Sequence, residues 1–241
     1  MRVGAMTHVG QIRKVNEDGF LALSPILAVA DGMGGHQAGE VASSLALEVV
    51  AGWPFDFHNP EDSLHQAIYQ ANAKILSLAK ENADLAGMGT TLSMALVIED
   101  WAYIAHIGDS RIYKYDGQDL CQLTRDHSVV AELVRSGALT EEEALVHPHR
   151  NVLTRALGAG PEAVCDARKE HLRVGDMLVL CTDGLYSLVT DEELRQVLMD
   201  EADPQKAAER LVALANARGG HDNITALVAV MESQDRRVMV E

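Results

Sequence analysis

Aromatic residues are scarce in this chain. Two Trp, five Tyr and three Phe make up 4% of 241 residues, while hydrophobic residues as a whole reach 47%. A core built from such a sequence has to be aliphatic, made of Leu, Val, Ala, Ile and Met. Cysteine is equally sparse: Cys121, Cys165 and Cys181 are widely spaced and form no Cys-x-x-Cys pair. That excludes a disulfide framework or a zinc knuckle and fits a reducing compartment. No apolar run approaches the roughly 20 residues that span a bilayer, and the N-terminus, with Gly4 and Thr7, lacks a signal-peptide core. Positive charge is short too. Twenty Lys and Arg against 36 Asp and Glu leave a formal net charge of -16, the wrong sign for a phosphate backbone. A cytoplasmic protein with no membrane and no nucleic-acid partner is expected.

What is present is a set of short apolar runs. Arg2 to Met6, Gly19 to Leu23 and Ile26 to Ala30 have the pattern of strands, and helical spacing follows from about Ala38 to Val50 and Glu61 to Glu81. Thr90 to Ile98 and Trp101 to Ile107 are strands joined by Glu99-Asp100. Arg111 to Tyr115 and Asp119 to Leu123 flank Asp116-Gly117, a hairpin signal. From His127 to Gly160 the pattern is helical but broken by Gly137, Pro148 and Gly158. Strands return at about Val164 to His171 and Met177 to Cys181, Thr190-Asp-Glu-Glu193 caps a helix, Pro204 opens another to about Ala217, and Ile224 to Met231 is a last strand. Strands arrive in pairs, with long helices between the groups, which favours antiparallel α+β layering over a βαβ repeat. No repeat, linker or composition break divides the chain.

Four carboxylates stand at strand ends. Asp31 closes Ile-Leu-Ala-Val-Ala and is followed by Gly32-Met-Gly-Gly35; Asp109 and Asp183 each follow an apolar strand, and Asp222 precedes Ile224. In an antiparallel sheet the ends of some strands neighbour the beginnings of others, so all four can share one rim. Gathered there they repel one another unless positive charge sits among them. Hard divalent ions suit a set of carboxylates and carbonyls that offers neither thiolates nor a histidine pair. Two such ions a few Å apart serve phosphoryl transfer by lowering the pKa of a bridging water. Asp116-Gly117 is assigned only to its turn. In Ile12-Arg13-Lys-Val-Asn-Glu17-Asp18, Arg13 is placed either to hold a phosphate or to make a surface ion pair, and Glu17 or Asp18 to hold a metal-bound water.

The combination Arg13…Asn16-Glu-Asp18, Ala30-Asp-Gly-Met-Gly-Gly35, Gly89-Thr-Thr91, Gly108-Asp-Ser-Arg111, Thr182-Asp-Gly184 and Gly220-His-Asp-Asn223 resembles the metal-dependent protein serine/threonine phosphatases (type 2C, PPM family), in their compact bacterial form. The resemblance implies a four-layer sandwich of two antiparallel β-sheets flanked by α-helices. It implies one catalytic domain over 1–233, with a flap at about 127–151 and a C-terminal tail at 234–241. Asp31 would bridge two Mn or Mg ions, with the Gly32 carbonyl on one of them. Asp183 and Asp222 would complete one ion, and Asp18, with Glu17, would act on the other. A third, looser ion would fall to Asp109 with Asp183. Arg13 would hold the substrate phosphate, and His36 would stand near the leaving group; a protonated His36 or a metal-bound water would serve in place of the family's usual acid, whose position Met33 occupies. The implied reaction is attack of a metal-bridging hydroxide on phosphoserine or phosphothreonine with no phosphoenzyme, in a monomer whose partners are phosphorylated proteins, kinases and their substrates among them.

Rival phosphatase chemistries lack their residues. Cys-x5-Arg is missing, since His127, His171 and Ser187 stand six after the three cysteines, and there is no Asp-x-Asp pair. Gly32 to Gly35 fits neither a dinucleotide nor a Lys-bearing phosphate loop. The alternative of another class is a catalytically silent family member acting as a regulatory binding module, which would normally have lost one of these carboxylates.

Overall fold

Strands that are apolar on both faces need cover on both sides, and the chain supplies it. The computed structural model describes residues 1–35 and 38–232, so the expected tail at 234–241 lies outside the described residues. One sheet runs in the order β1 (Arg2–His8), β11 (Ile224–Val230), β10 (Met177–Cys181), β7 (Arg111–Tyr115), β8 (Leu120–Gln122). The other runs β2 (Asp18–Leu23), β3 (Ile26–Met33), β5 (Leu92–Ile98), β6 (Trp101–Ile107), β9 (Asp166–His171), with the short β4 (Gly89–Thr90) on the end of β3. Neighbours pair antiparallel throughout.

Residue parity sets the layers. On β3, Leu27 and Val29 meet Leu178, Leu180, Leu227 and Ala229 of the other sheet in a core between the sheets. Ile26, Ala28 and Ala30, from the opposite face, pack against α1 (Ala38–Gly52) and α2 (Pro60–Glu81). On the far side Val179, Cys181, Ala226 and Val228 pack beneath α6 (Asp191–Asp200) and α7 (Pro204–Ala217). The result is the α/β/β/α sandwich that the family resemblance implied, and among the described residues its hydrophobic core is aliphatic apart from Tyr113 and Tyr115.

Several boundaries move. The strand starting at Ile26 runs on to Met33, because Gly32 and Met33 pair with Thr90 and Gly89. The run from Thr90 to Ile98 is correspondingly split at Thr91 into β4 and β5, and β9 begins at Asp166. Asp116-Gly117 makes the expected turn: Gly117 has φ +92°, and the Asp116 carboxylate accepts from the N–H groups of Gln118 and Asp119. The broken helical stretch after His127 becomes α3 (Val129–Arg135) and α4 (Glu141–Val146). Backbone bonds close its base, from Val129 N–H to the Val152 carbonyl and from Thr154 N–H to the His127 carbonyl.

Two substitutions separate core packing from end-capping. Leu227→Ala, fully buried between the sheets, should lower unfolding free energy by about 2–5 kcal/mol. Thr190→Ala, which removes the capping box made with Glu193, should cost about 1 kcal/mol. Urea midpoints order the two, and equal shifts would contradict the layer assignment.

Candidate metal centre

Two hairpin-like pairs, one from each sheet, bring the carboxylates together. Asp18 opens β2 directly across from Asp31 in β3. In the other sheet, the short helix α5 (Asp183–Tyr186) starts where β10 ends, and Asp222 lies just before β11. The rim is therefore a seam between the sheets.

Asp31 does not close its strand, as the apolar run suggested; it sits within β3. The strand continues there because Thr90 and Thr91 take over the hydrogen bonding. Asp31 N–H donates to Thr91 Oγ1 at 2.9 Å, and its carbonyl accepts from Thr91 N–H at 2.9 Å. Gly32 follows because backbone fills the space where a side chain would go: a Cβ there would overlap the Gly39 carbonyl of α1. Gly32 N–H and the Ser43 hydroxyl both donate to the Glu17 carbonyl, at 3.1 and 2.6 Å. Asn223 stitches the loop before β2 from the other side. Its Oδ1 accepts from Glu17 N–H at 2.8 Å, and its Nδ2 donates to the Val9 and Val15 carbonyls at 3.0 Å.

The carboxyls so gathered hold their protons more tightly than free aspartate. Burial, then the charges of Asp18 and Asp183, puts Asp31 well above the ordinary range. Burial pushes Asp18 up to about 7 against the hydrogen bonds of Thr225 and Thr182, and with Asp222 nearby it pushes Asp183 up to about 6. Asp109, beyond the end of β6, is buried and feels Asp183; its carboxyl rises to about 8. Its backbone carbonyl accepts from Tyr186 Oη at 3.0 Å. Burial also raises Glu17. Arg13 supplies the local positive charge, with Nη2 at 2.8 Å from Asp222 Oδ2 and Nη1 at 3.9 Å from Glu17 Oε2. His36 lies outside the described residues.

The donor set fits divalent cations. Asp18 Oδ1 and Glu17 Oε1 are shut off from solvent with no hydrogen-bond partner among the described residues. Buried oxygens left in that condition need an ion or a water. Among the described residues no three His, Cys, Asp or Glu side chains form a ready-made cage. Carbonyls and water would thus have to complete any coordination, as hard oxygen-seeking ions accept. Thr91, Thr182, Thr225 and Asn223 were not recognised from sequence as supports of the site, although Thr225 is a hydroxyl inside the apolar strand β11.

The protein phosphatase 2C family model matches residues 14–218. The chain belongs to the protein phosphatase 2C family. It is 38% identical over 233 residues to the serine/threonine phosphatase stp of Listeria monocytogenes, covering 92% of each chain. Among solved structures, the serine/threonine phosphatase PstP/Ppp of Mycobacterium tuberculosis superposes with a TM-score of 0.91 at 39% identity, over 96% of this chain and 99% of that one. A second similar structure, the PstP catalytic domain in complex with two manganese ions, has a TM-score of 0.89 at 37% identity, over 96% and 98% of the two chains. Divalent metals are the cofactors of the 2C family, in keeping with the oxygen-rich seam.

Protons and metal compete for the same oxygens. Mn2+ affinity should therefore rise across about pH 6 to 8, where Asp183, Asp18 and Asp109 give up their protons. Without metal the sign reverses. The folded chain keeps protons that the unfolded chain has lost above about pH 4, so stability falls as pH rises from about 4 through the folded values of about 6 to 8. Calorimetric Mn2+ titrations at pH 6, 7 and 8 check the first trend, which a flat affinity would contradict.

Proposed function

We propose that this chain is a metal-dependent phosphatase that hydrolyses phosphoserine and phosphothreonine in proteins. The observation that carries the reading is the seam itself: Asp18, Asp31, Asp109, Asp183 and Asp222 come together from the two sheets and their flanking turns, act on one another electrostatically, and leave a buried carboxylate oxygen unpartnered among the described residues. Asp31 would hold the metal ions together with the Gly32 carbonyl. Asp183 and Asp222 would complete one ion, Asp18 with Glu17 would act on the other, and Asp109 with Asp183 would hold a looser third. When bound, the ions acidify water and take up charge on the phosphate oxygens.

Arg13 is half-exposed beside Asp222, with further N–H groups to hold the phosphate in a planar, two-pronged contact. Water attacks phosphorus, the bond to the seryl or threonyl oxygen breaks, and that oxygen leaves with a proton; His36 is our candidate for the residue beside it. Covalent catalysis by cysteine is disfavoured. Cys181, the cysteine next to the Thr182-Asp183 turn, is fully buried and burial pushes its thiol up to about 12.

The segment at about 127–151 serves as a flap on a single catalytic domain. Leu145 and Val146, 70% and 80% exposed on α4, are suited to touch a protein substrate. We place the protein in the cytoplasm as a monomer acting on phosphorylated kinases and their substrates, with no membrane or nucleic-acid partner. Among the described residues no helix is long and apolar enough to cross a membrane. A silent binding module is disfavoured because every candidate carboxylate is present.

Hydrolysis of p-nitrophenyl phosphate and of a phosphothreonine peptide should depend on added Mn2+. Asp31→Asn and Asp183→Asn should each lower kcat on the order of a hundredfold or more, as loss of several kcal/mol of charge stabilisation requires. Full activity in either variant, or hydrolysis without metal, would overturn the proposal. Arg13→Ala should instead raise KM for the peptide about tenfold with a smaller change in kcat, and steady-state kinetics separate the two effects.

A further inference from the structure

We propose that Thr182 and Thr225 are positioning residues for Asp18: their hydroxyls fix its Oδ2 and leave Oδ1 as the single oxygen that this carboxylate offers to the metal centre. Asp18 enters as the metal-site carboxylate proposed above, and the experiment below separates the two readings.

The geometry is directional. Thr182 Oγ1 and Thr225 Oγ1 each lie 2.7 Å from Asp18 Oδ2. A hydroxyl has one proton to give, so both protons point at the same carboxylate oxygen. Each hydroxyl oxygen then accepts from elsewhere. Thr182 Oγ1 takes the Thr225 N–H at 3.1 Å. Thr225 Oγ1 lies 2.8 Å from Thr7 Oγ1, directly across the β1–β11 pair. Because the proton of Thr225 is engaged with Asp18, Thr7 must be the donor in that contact. Thr7 Oγ1 accepts in turn from Asn16 Nδ2 at 2.8 Å. The relay runs one way, from the Asn16 amide through Thr7 and Thr225 to Asp18, so that each bond polarises the next.

Thr182 and Thr225 are fully buried and belong to the β1–β11–β10 side, whereas Asp18 belongs to β2 of the other sheet. The hydroxyls thus lock the carboxylate across the seam. Swinging Asp18 to present both oxygens to an ion would strip two short bonds from Oδ2 and strand two buried hydroxyls. Oδ1, shut off from solvent and unpartnered among the described residues, is the oxygen left over. Asp18 therefore meets an ion, or the water bound to it, through one atom held in one place. Partners of metal ligands that act in this way change affinity by about 10–100-fold when removed.

Valine copies the shape of threonine without its hydroxyl, and serine keeps the hydroxyl without the methyl. In calorimetric Mn2+ titrations at fixed pH, Thr225→Val and Thr182→Val should each weaken at least one ion by about 10–100-fold, while Thr225→Ser and Thr182→Ser should bind nearly as the parent does. Circular dichroism of the metal-free variants reports folding. Should a valine variant fail to fold, Thr7→Val, one step back along the relay, should give a smaller loss of the same sign. Valine variants that bind like the parent, or serine variants that lose as much as valine, would overturn the positioning role. Asp18→Asn with unchanged Mn2+ binding would instead overturn the assignment of Asp18 to the metal centre, and the role of both threonines with it.

Discussion

Carboxylates buried side by side are held against two penalties, lost hydration and mutual repulsion, and both are relieved by positive charge brought among them. That constraint organises this protein. Asp31 feels Asp18, Asp183, Asp109 and Asp222, and without metal the cluster answers by holding protons and by drawing Arg13 onto Asp222. The same features would suit the seam to divalent cations, which supply more charge than one guanidinium.

Much of the surrounding architecture keeps those carboxylates in place. The two sheets meet through an aliphatic core in which Leu27 and Val29 share a cluster with Leu180 and Leu227, so the segments that carry Asp18, Asp31, Asp183 and Asp222 are fixed relative to one another. Backbone does the fine adjustment. Gly32 lies against Gly39 of α1, and Gly184 lies where a Cβ would overlap the Asn223 carbonyl. The loop carrying Arg13, Glu17 and Asp18 is stitched down by Asn223, Ser43 and Gly32. A site made of like charges needs this rigidity, because nothing in the cluster itself favours close approach.

Local signals in the sequence were enough to find the parts. Apolar runs ending near Asp, the Asp116-Gly117 hairpin, the Thr190 capping box and the spacing of the motifs from Arg13 to Asn223 identified the strands, the layering and the carboxylates that the structure brings together. What stayed hidden depends on partners far apart in the chain. Asp31 lies inside its strand because Thr91, 60 residues on, bonds to it. Arg13 meets Asp222 across 209 residues. Thr225 stands out as a hydroxyl in an apolar strand, but only the pairing of β1 with β11, the first strand with the last, reveals that it relays hydrogen bonds from Thr7 to Asp18.

The central proposal is that Asp31 would hold two metal ions at once. Electron paramagnetic resonance of the chain loaded with Mn2+ tests it most directly, because ions about 3.5–4 Å apart couple their spins. A spin-coupled manganese pair is expected in the parent, replaced by the signal of isolated ions in Asp31→Asn. Isolated ions in the parent itself would contradict it.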